Sequence, residues 1–557
     1  MKPRLYLLLA LILIISMIFT ACGKGTPTDQ TALDEGNENT SQQSDEPSVF
    51  RYGFTGWWPD SKNPYLSSYA VSTSTYTDNV YEKLMELDEN LELEGRLAED
   101  WEVSEDGTTW TFYLRKGVKW HDGEDFTADD VVYSYKVVQD FQLPRWYSSV
   151  KDFIEVNKID DYTVELKTEK PKANIYDGMI DIVPEHIFGQ YDTVEAALAF
   201  TNDRPIGTGP FVFVEDAVDE FVRFKANDNY WRGRPKIDEI IYVYFTNSDT
   251  MIQALEKGEI DLCTVTSTQI PYVEQLSGIT INKYDSITFH ELGFNCWNDP
   301  RSQGNPLILD HRIRNAIDYA IDYDTMIEYA LGGLGTRQMS LIPKMVGKWS
   351  WEPGPDIRRD YDPEKAKQVL EEAGYIDRDG DGIREDENGN KLDFRFTVIE
   401  EDYKDQALII QQNLKEVGIN VNIEYVDSGR QGDIIENQNF NTDMYIWGWT
   451  ADYGEPSFIL SVMLTSEIGG RSDCWYSNPE YDELYELQKT AVDEEERLKI
   501  VHKMQEIIYR DSPYNVMYTL TRVQAYNSNR WENLKQWPEG NGGLWNYYTK
   551  LSVSPKQ

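Results

Sequence analysis

Residues 97–138 read LAEDWEVSEDGTTWTFYLRKGVKWHDGEDFTADDVVYSYKVV, and this run leaves the chain few ways to fold. Asp106-Gly107 is a hairpin turn signal. Before it, Trp101 and Val103 alternate with polar residues. After it, Trp110, Phe112 and Leu114 fall on one strand face, and Thr111, Tyr113 and Arg115 on the other. Gly117 interrupts the run, Val118 and Trp120 resume it, and Asp122-Gly123 predicts a second turn. Thr127, with Asp130 three residues on, forms a capping box. Val131, Val132, Tyr135 and Val138 then make the apolar stripe of a helix. The apolar period changes from two to 3.6 within one short stretch, which requires mixed α and β structure.

The same change of period recurs downstream. A strand over 240–245 leads into a helix that Gly258 ends, and a strand follows from Ile260. The pattern also predicts a helix over 77–87, with Val80, Leu84 and Leu87 at helical spacing, and short strands over 290–295 and 516–518. With 557 residues, the chain is too long for one domain of usual size. Its 97 acidic and 53 basic residues leave a net charge of -44, which repels phosphate backbones and argues against nucleic acid as a partner.

The amino terminus carries targeting signals. Lys2 and Arg4 precede an apolar run over 5–19 that is shorter than a membrane span of about 20 residues, as in a signal peptide over 1–21. Residues 19–23, Phe-Thr-Ala-Cys-Gly, look like a bacterial lipoprotein junction with Cys22 as the lipidated residue. Residues 22–48 are rich in Gly, Thr, Ser, Asn, Gln and Asp, and read as a flexible tether. Three further cysteines, Cys263, Cys296 and Cys474, are an odd number, so at least one is unpaired. Buried thiols and a single disulfide among them both remain open.

The order of residues in 97–138 closely resembles the signature region of the family 5 extracellular solute-binding proteins, the receptors of peptide, oligopeptide and nickel ABC importers. The likeness continues in PIGTGPF at 205–211, NYWRGRP at 229–235, DHRIRNA at 310–316 and YDPEKA at 361–366. It implies an α/β, periplasmic-binding-protein-like fold of type II with three lobes and a ligand cleft between two of them. Carried onto this chain, lobe I takes 49–78, 205–290 and 514–557, lobe II takes 79–204, and lobe III takes 291–513. The implied protein is a lipid-anchored receptor on the extracellular or periplasmic face of the cell membrane. It captures peptides by hinge closure and hands them to ABC permease subunits.

The run WGWTADYGEP at 447–456 is the most informative for ligand binding. Tyr445, Trp447 and Trp449 share one strand face, and Asp452 and Tyr453 follow the strand end. In the family's peptide-binding members, the pattern that Trp449, Asp452, Glu455 and Pro456 match supplies a carboxylate for the peptide's α-ammonium. Read without the resemblance, Asp452 caps a turn and the tryptophans are core. Trp57 and Trp58, after the first strand, either pack on the core or line the cleft, and Asn295 completes the expected ligand set. Asp377, Asp379 and Asp381, with Gly382 and then Glu385, resemble the first half of a calcium loop; a solvated acidic turn reads equally well, because position twelve is Asn388.

Catalytic patterns are missing. Ser148 and Lys151 have the spacing of a serine acylase without its companion motifs. Five scattered histidines form no zinc pair, and no nucleophile elbow or phosphate loop occurs. The expectation is a binding protein without cofactor, with a structural calcium in the acidic loop left open. The rivals are an oligosaccharide receptor using the 16 Trp and 36 Tyr as stacking faces, a nickel-chelate receptor, an extracellular enzyme, and a surface adhesin or signalling receptor.

Overall fold

The computed structural model describes residues 46–56, 58, 61–66, 70–437 and 439–557. The signal peptide over 1–21, Cys22, nearly all of the tether and Trp57 lie outside the described residues.

A mixed sheet runs through the molecule. Six of its strands matter for the site: β1 (Val49–Phe54), β2 (Glu239–Tyr244), β3 (Leu262–Thr264), β4 (Ile279–Phe294), β5 (Met444–Thr450) and β6 (Tyr514–Asn527). On one flank β1 lies parallel to both β2 and β3. On the other, strand Asp393–Ile399 lies parallel to β5 and to strand Asn420–Val426. Between the flanks, β4 and β6 pair antiparallel from Ile279↔Asn527 to Gly293↔Tyr514. The sheet is therefore two parallel α/β halves joined by two long crossing strands. Sequence patterning predicted only the ends of these strands, at 290–295 and 516–518. Lys283, Asp285 and Arg522 break the apolar alternation, so each ladder extends well past the part the pattern marks.

Residues 97–138 fold as their pattern predicts. Strands Ala98–Val103 and Thr109–Leu114 pair around Gly107, whose φ of 68° suits a residue without Cβ. Thr127 caps helix Ala128–Phe141 with both bonds of the capping box to Asp130. Strands Phe153–Asp160 and Thr163–Thr168 complete a separate four-stranded sheet. The helix buries Val131, Tyr135 and Val138 against Phe112, Val164 and Leu166 from that sheet.

The helix expected over 77–87 is corrected. Helix Ala70–Val80 ends seven residues early, and Met85–Leu87 is a strand. The cause is distant in sequence: the Val80 carbonyl accepts from Gly209 N–H at 2.9 Å. The Leu84 carbonyl then accepts from Arg96 and Ala98, which pulls the chain into extended structure. Gly207 explains itself at the same contact, since a Cβ there would stand 1.8 Å from the Val80 oxygen. PIGTGPF bends over 208–210 and runs into strand Phe211–Ala217. The three cysteines are free thiols, with Cys263 and Cys474 buried and Cys296 half-buried.

Candidate functional site

A cavity of about 760 Å³ opens where β1 and β3 end, with Phe54, Thr55 and Thr264 in its lining. The crevice outside the carboxyl ends of parallel strands is where open α/β sheets hold ligands, because the loops leaving the strands diverge there. Aromatic rings form much of the wall. Tyr52 stacks on Trp545 at 5.2 Å, and the Trp545 indole N–H donates to the Tyr242 hydroxyl at 3.2 Å. Some of the charged lining groups are braced, while Asp181 Oδ2 and Arg145 Nη1 are buried without a hydrogen-bond partner among the described residues. Arg96 lies 3.8 Å over the Tyr547 ring. Tyr547 shares a hydrogen bond of 2.7 Å with Tyr230, which donates at 2.7 Å to the buried Glu82. One cation is different: Arg522, beside Tyr284 in the β4–β6 register, is exposed in the lining and has no side-chain partner among the described residues.

The loop after β5 borders this cavity. Tyr453 meets Trp537, a lining residue, with ring centroids 4.6 Å apart. Gly454 passes so close to Leu87, also in the lining, that a Cβ would stand 2.8 Å from it. Glu455 fastens the loop from below. Its carboxylate accepts from both terminal nitrogens of buried Arg497, at 3.1 and 2.7 Å, and from Ser457 N–H at 2.8 Å. The Trp349 indole N–H donates to the Gly454 carbonyl at 2.8 Å.

Asp452 stands on that platform with no hydrogen bond or ion pair to its carboxylate. Its side chain is exposed to water, yet protein on several sides strips part of its hydration. That loss, with Asp177 and Glu455 nearby, pushes its pKa up to about 6 against the opposing pull of Lys83. Asp177, also exposed and unpaired, is raised by burial as well. Two uncompensated carboxylates in a recess favour a cationic group of a ligand.

The other residues singled out from sequence separate into groups. Trp449 is half-buried and donates to Asp473 at 3.3 Å. Trp447 is half-buried against the core and pairs across the ladder with Glu291, whose fully buried carboxyl has no partner and is driven far up in pKa by burial. Trp58 packs on Phe54 and Tyr244 at the ends of β1 and β2. Asn295 is buried, and its amide donates to the carbonyls of Phe440 and Thr442 at 2.9 and 3.0 Å; like Trp447, Trp449, Asp452, Tyr453 and Trp58, it is not among the residues that line the cavity. Asp377, Asp379 and Glu385 come together outside the cavity, without Asp381. Sequence reasoning missed Arg522, Tyr284, Trp537, Trp545 and Asp177. The crowding of aromatics over 537–548 was the available signal for part of this set.

Residues 92–471 match the family model described as bacterial extracellular solute-binding proteins, family 5 middle. The chain is 28% identical over 526 residues to the oligopeptide-binding protein AppA of Bacillus subtilis, covering 92% of each. It is 28% identical over 540 residues to the heme-binding protein A of Haemophilus influenzae, covering 90% of this chain and 91% of that one. The solved structure of Bacillus subtilis AppA in complex with a nonapeptide superposes with a TM-score of 0.69 at 27% identity, covering 92% of this chain and all of that one. The α/β fold expected from the sequence is the fold of these binding proteins.

Proposed function

The chain belongs to the bacterial extracellular solute-binding proteins of family 5, and from that membership we propose that it is the peptide receptor of an ABC importer. It is a binding protein and not an enzyme, as its relatives are. The observation that carries the peptide reading is Asp452, an unpaired carboxylate beside unpaired Asp177, in the loop whose Tyr453 and Gly454 contact the lining residues Trp537 and Leu87. An α-ammonium supplies the charge they lack. Arg522 offers a second, opposite charge to the same cavity, which suits a zwitterion better than a neutral sugar. The described lining contains neither His nor Cys, which disfavours direct ligation of nickel. AppA, named as oligopeptide-binding, supports the same reading.

The reading keeps the division into three lobes expected from sequence, in which β4 and β6 would cross between lobes I and III. Peptide binds between those lobes, hinge closure traps it, and the closed form docks on the permease. Trp449, Tyr453 and Trp58 flank the ligand path. Among the described residues no helix is long and apolar enough to cross a membrane. The membrane attachment is a lipid on Cys22. Cys22→Ala should release the protein into the medium or leave it unprocessed. A mature protein whose unmodified N-terminus lies away from Cys22 would sink the anchor.

Calorimetry with one short peptide, its N-acetyl form and an oligosaccharide tests the ligand class. The free peptide should bind, the acetylated form should bind poorly, and Asp452→Asn should cost roughly 2–5 kcal/mol of binding by leaving the ammonium unpaired. Equal affinity for the free and acetylated peptides would rule out the anchor. Tight sugar binding without peptide binding would rule out the peptide reading.

A further inference from the structure

We propose that the loop over 377–385, outside the ligand cavity, is a calcium site. Carboxylate oxygens of Asp377, Asp379 and Glu385 all lie within 4.8 Å of one another. Oxygens this close need only a small contraction to reach the Ca–O distance of about 2.3–2.6 Å.

Glu385 is the independent sign that a cation belongs there. It is 3% exposed. One of its oxygens accepts from Arg378 N–H at 2.7 Å. The other, Oε2, is buried with no donor of any kind. A carboxylate oxygen removed from water is costly until a donor or a cation meets it.

The surrounding basic groups do not meet this need. Arg378 turns its guanidinium to the carbonyls of Glu385 and Asp386, at 2.6 and 2.7 Å. Arg384 reaches the carbonyls of Val417 and Tyr375, both at 2.9 Å, and Glu371 at 3.0 Å. Lys391 is the one ammonium in the cluster. It lies 2.8 Å from Asp379 and also contacts Asp381, and it touches neither Asp377 nor Glu385. Lys391 is therefore a partial counter-charge that competes for Asp379.

The backbone holds the acids in place. Asp377 accepts from Gly380 N–H at 2.7 Å and from Gly382 N–H at 3.0 Å, and both glycines have positive φ. Donors that are all carboxylate oxygens, without nitrogen or sulfur, select a hard cation. Calcium accepts irregular, oxygen-rich coordination more readily than magnesium, which demands near-octahedral geometry.

The test is calorimetry and thermal melting of the purified protein, stripped with chelator and titrated with CaCl2. One binding event is expected, with a dissociation constant of about 10⁻⁴–10⁻³ M or tighter, and a rise in Tm with calcium. Asp379→Asn should weaken calcium binding about tenfold or more, and Lys391→Met should strengthen it by removing the competitor. No heat and no change in Tm up to about 10 mM CaCl2 would overturn the site. Calcium binding left unchanged by Asp379→Asn would also overturn it. So would a Lys391→Met chain that loses stability and gains no calcium affinity, since the lysine alone would then be closing the turn.

Discussion

Asp452 and Glu455 stand three residues apart in one loop and carry opposite tasks. Glu455 is buried and paired with Arg497, so it holds the loop; Asp452 is open and unpaired, so it is free for a ligand. That division fixes a pH dependence. The pKa of Asp452 is raised to about 6, chiefly by lost hydration, so the carboxylate carries its full charge only above that pH. An ammonium ligand needs the charged form, and peptide affinity should fall as pH drops through 6, by about tenfold at pH 5. The sign for stability is the reverse. A carboxyl group whose folded pKa lies above its unfolded value holds its proton better when folded, so it lowers stability as pH rises from about 4 through 6. Asp452→Asn should thus weaken peptide binding while leaving the ligand-free Tm at pH 8 unchanged or slightly higher. Calorimetry and melting curves at pH 5 and 8 check both signs, and a binding constant flat across that range would remove Asp452 from the site.

The loop over 450–456 is the element on which this site depends. Arg497 donates to Glu455, Ser457 and Gln488 from inside the helix Glu494–Asp511. Arg497→Met would leave Glu455 buried without its cation, at a cost of about 3–5 kcal/mol, read as a loss of denaturant midpoint. It should also loosen the loop and weaken peptide binding, whereas Arg510→Met on the exposed face of the same helix should do neither. Local elements such as this were the legible part of the sequence. The capping box at Thr127 is decided by neighbours within four residues and formed as read, and the start of helix Pro363–Glu372 is set as locally, by Asp362 and Pro363. The end of the helix at Val80 was illegible because a carbonyl finds Gly209 more than a hundred residues away. The ligand loop shows both outcomes. Its carboxylates could be picked out, but which one would be buried depended on Arg497, which no local pattern marks. The cavity itself was the least legible feature. Its walls come from β1, from the end of β3, from the register of Tyr284 with Arg522, and from rings over 537–548, which meet only once the sheet has formed.

At the scale of the whole molecule, the two crossing strands decide whether the halves can move. β4 and β6 pair on both sides of an irregularity, and the ladder shifts register between Asp285 and Phe289. Within it, Ser286 turns its hydroxyl to accept from Thr288 N–H at 2.8 Å instead of the chain continuing the β6 ladder. A strand bends most cheaply where inter-strand bonds are already missing, and here no bond to β6 has to break, while Ile287 and Thr288 stay bonded to residues 450–451 and would move with β5. Asp285 marks the near side of the break, where its carboxylate accepts from Thr336 and Thr521 at 2.9 and 3.1 Å. A hinge at 286–288 would turn the half carrying β5 and Asp452 against the half carrying β1 and Arg522. The expected result is that a bound peptide contracts the protein. Small-angle X-ray scattering should show a smaller radius of gyration with saturating free peptide, and no change with the N-acetyl form at the same concentration. Asp452→Asn should lose the contraction at peptide concentrations that close the unchanged protein, and recover it only where calorimetry shows the site filled. An unaltered scattering profile on protein that calorimetry shows to be saturated would mean that ligand is held without hinge motion, and the break between Asp285 and Phe289 would then be a local bulge with no part in capture.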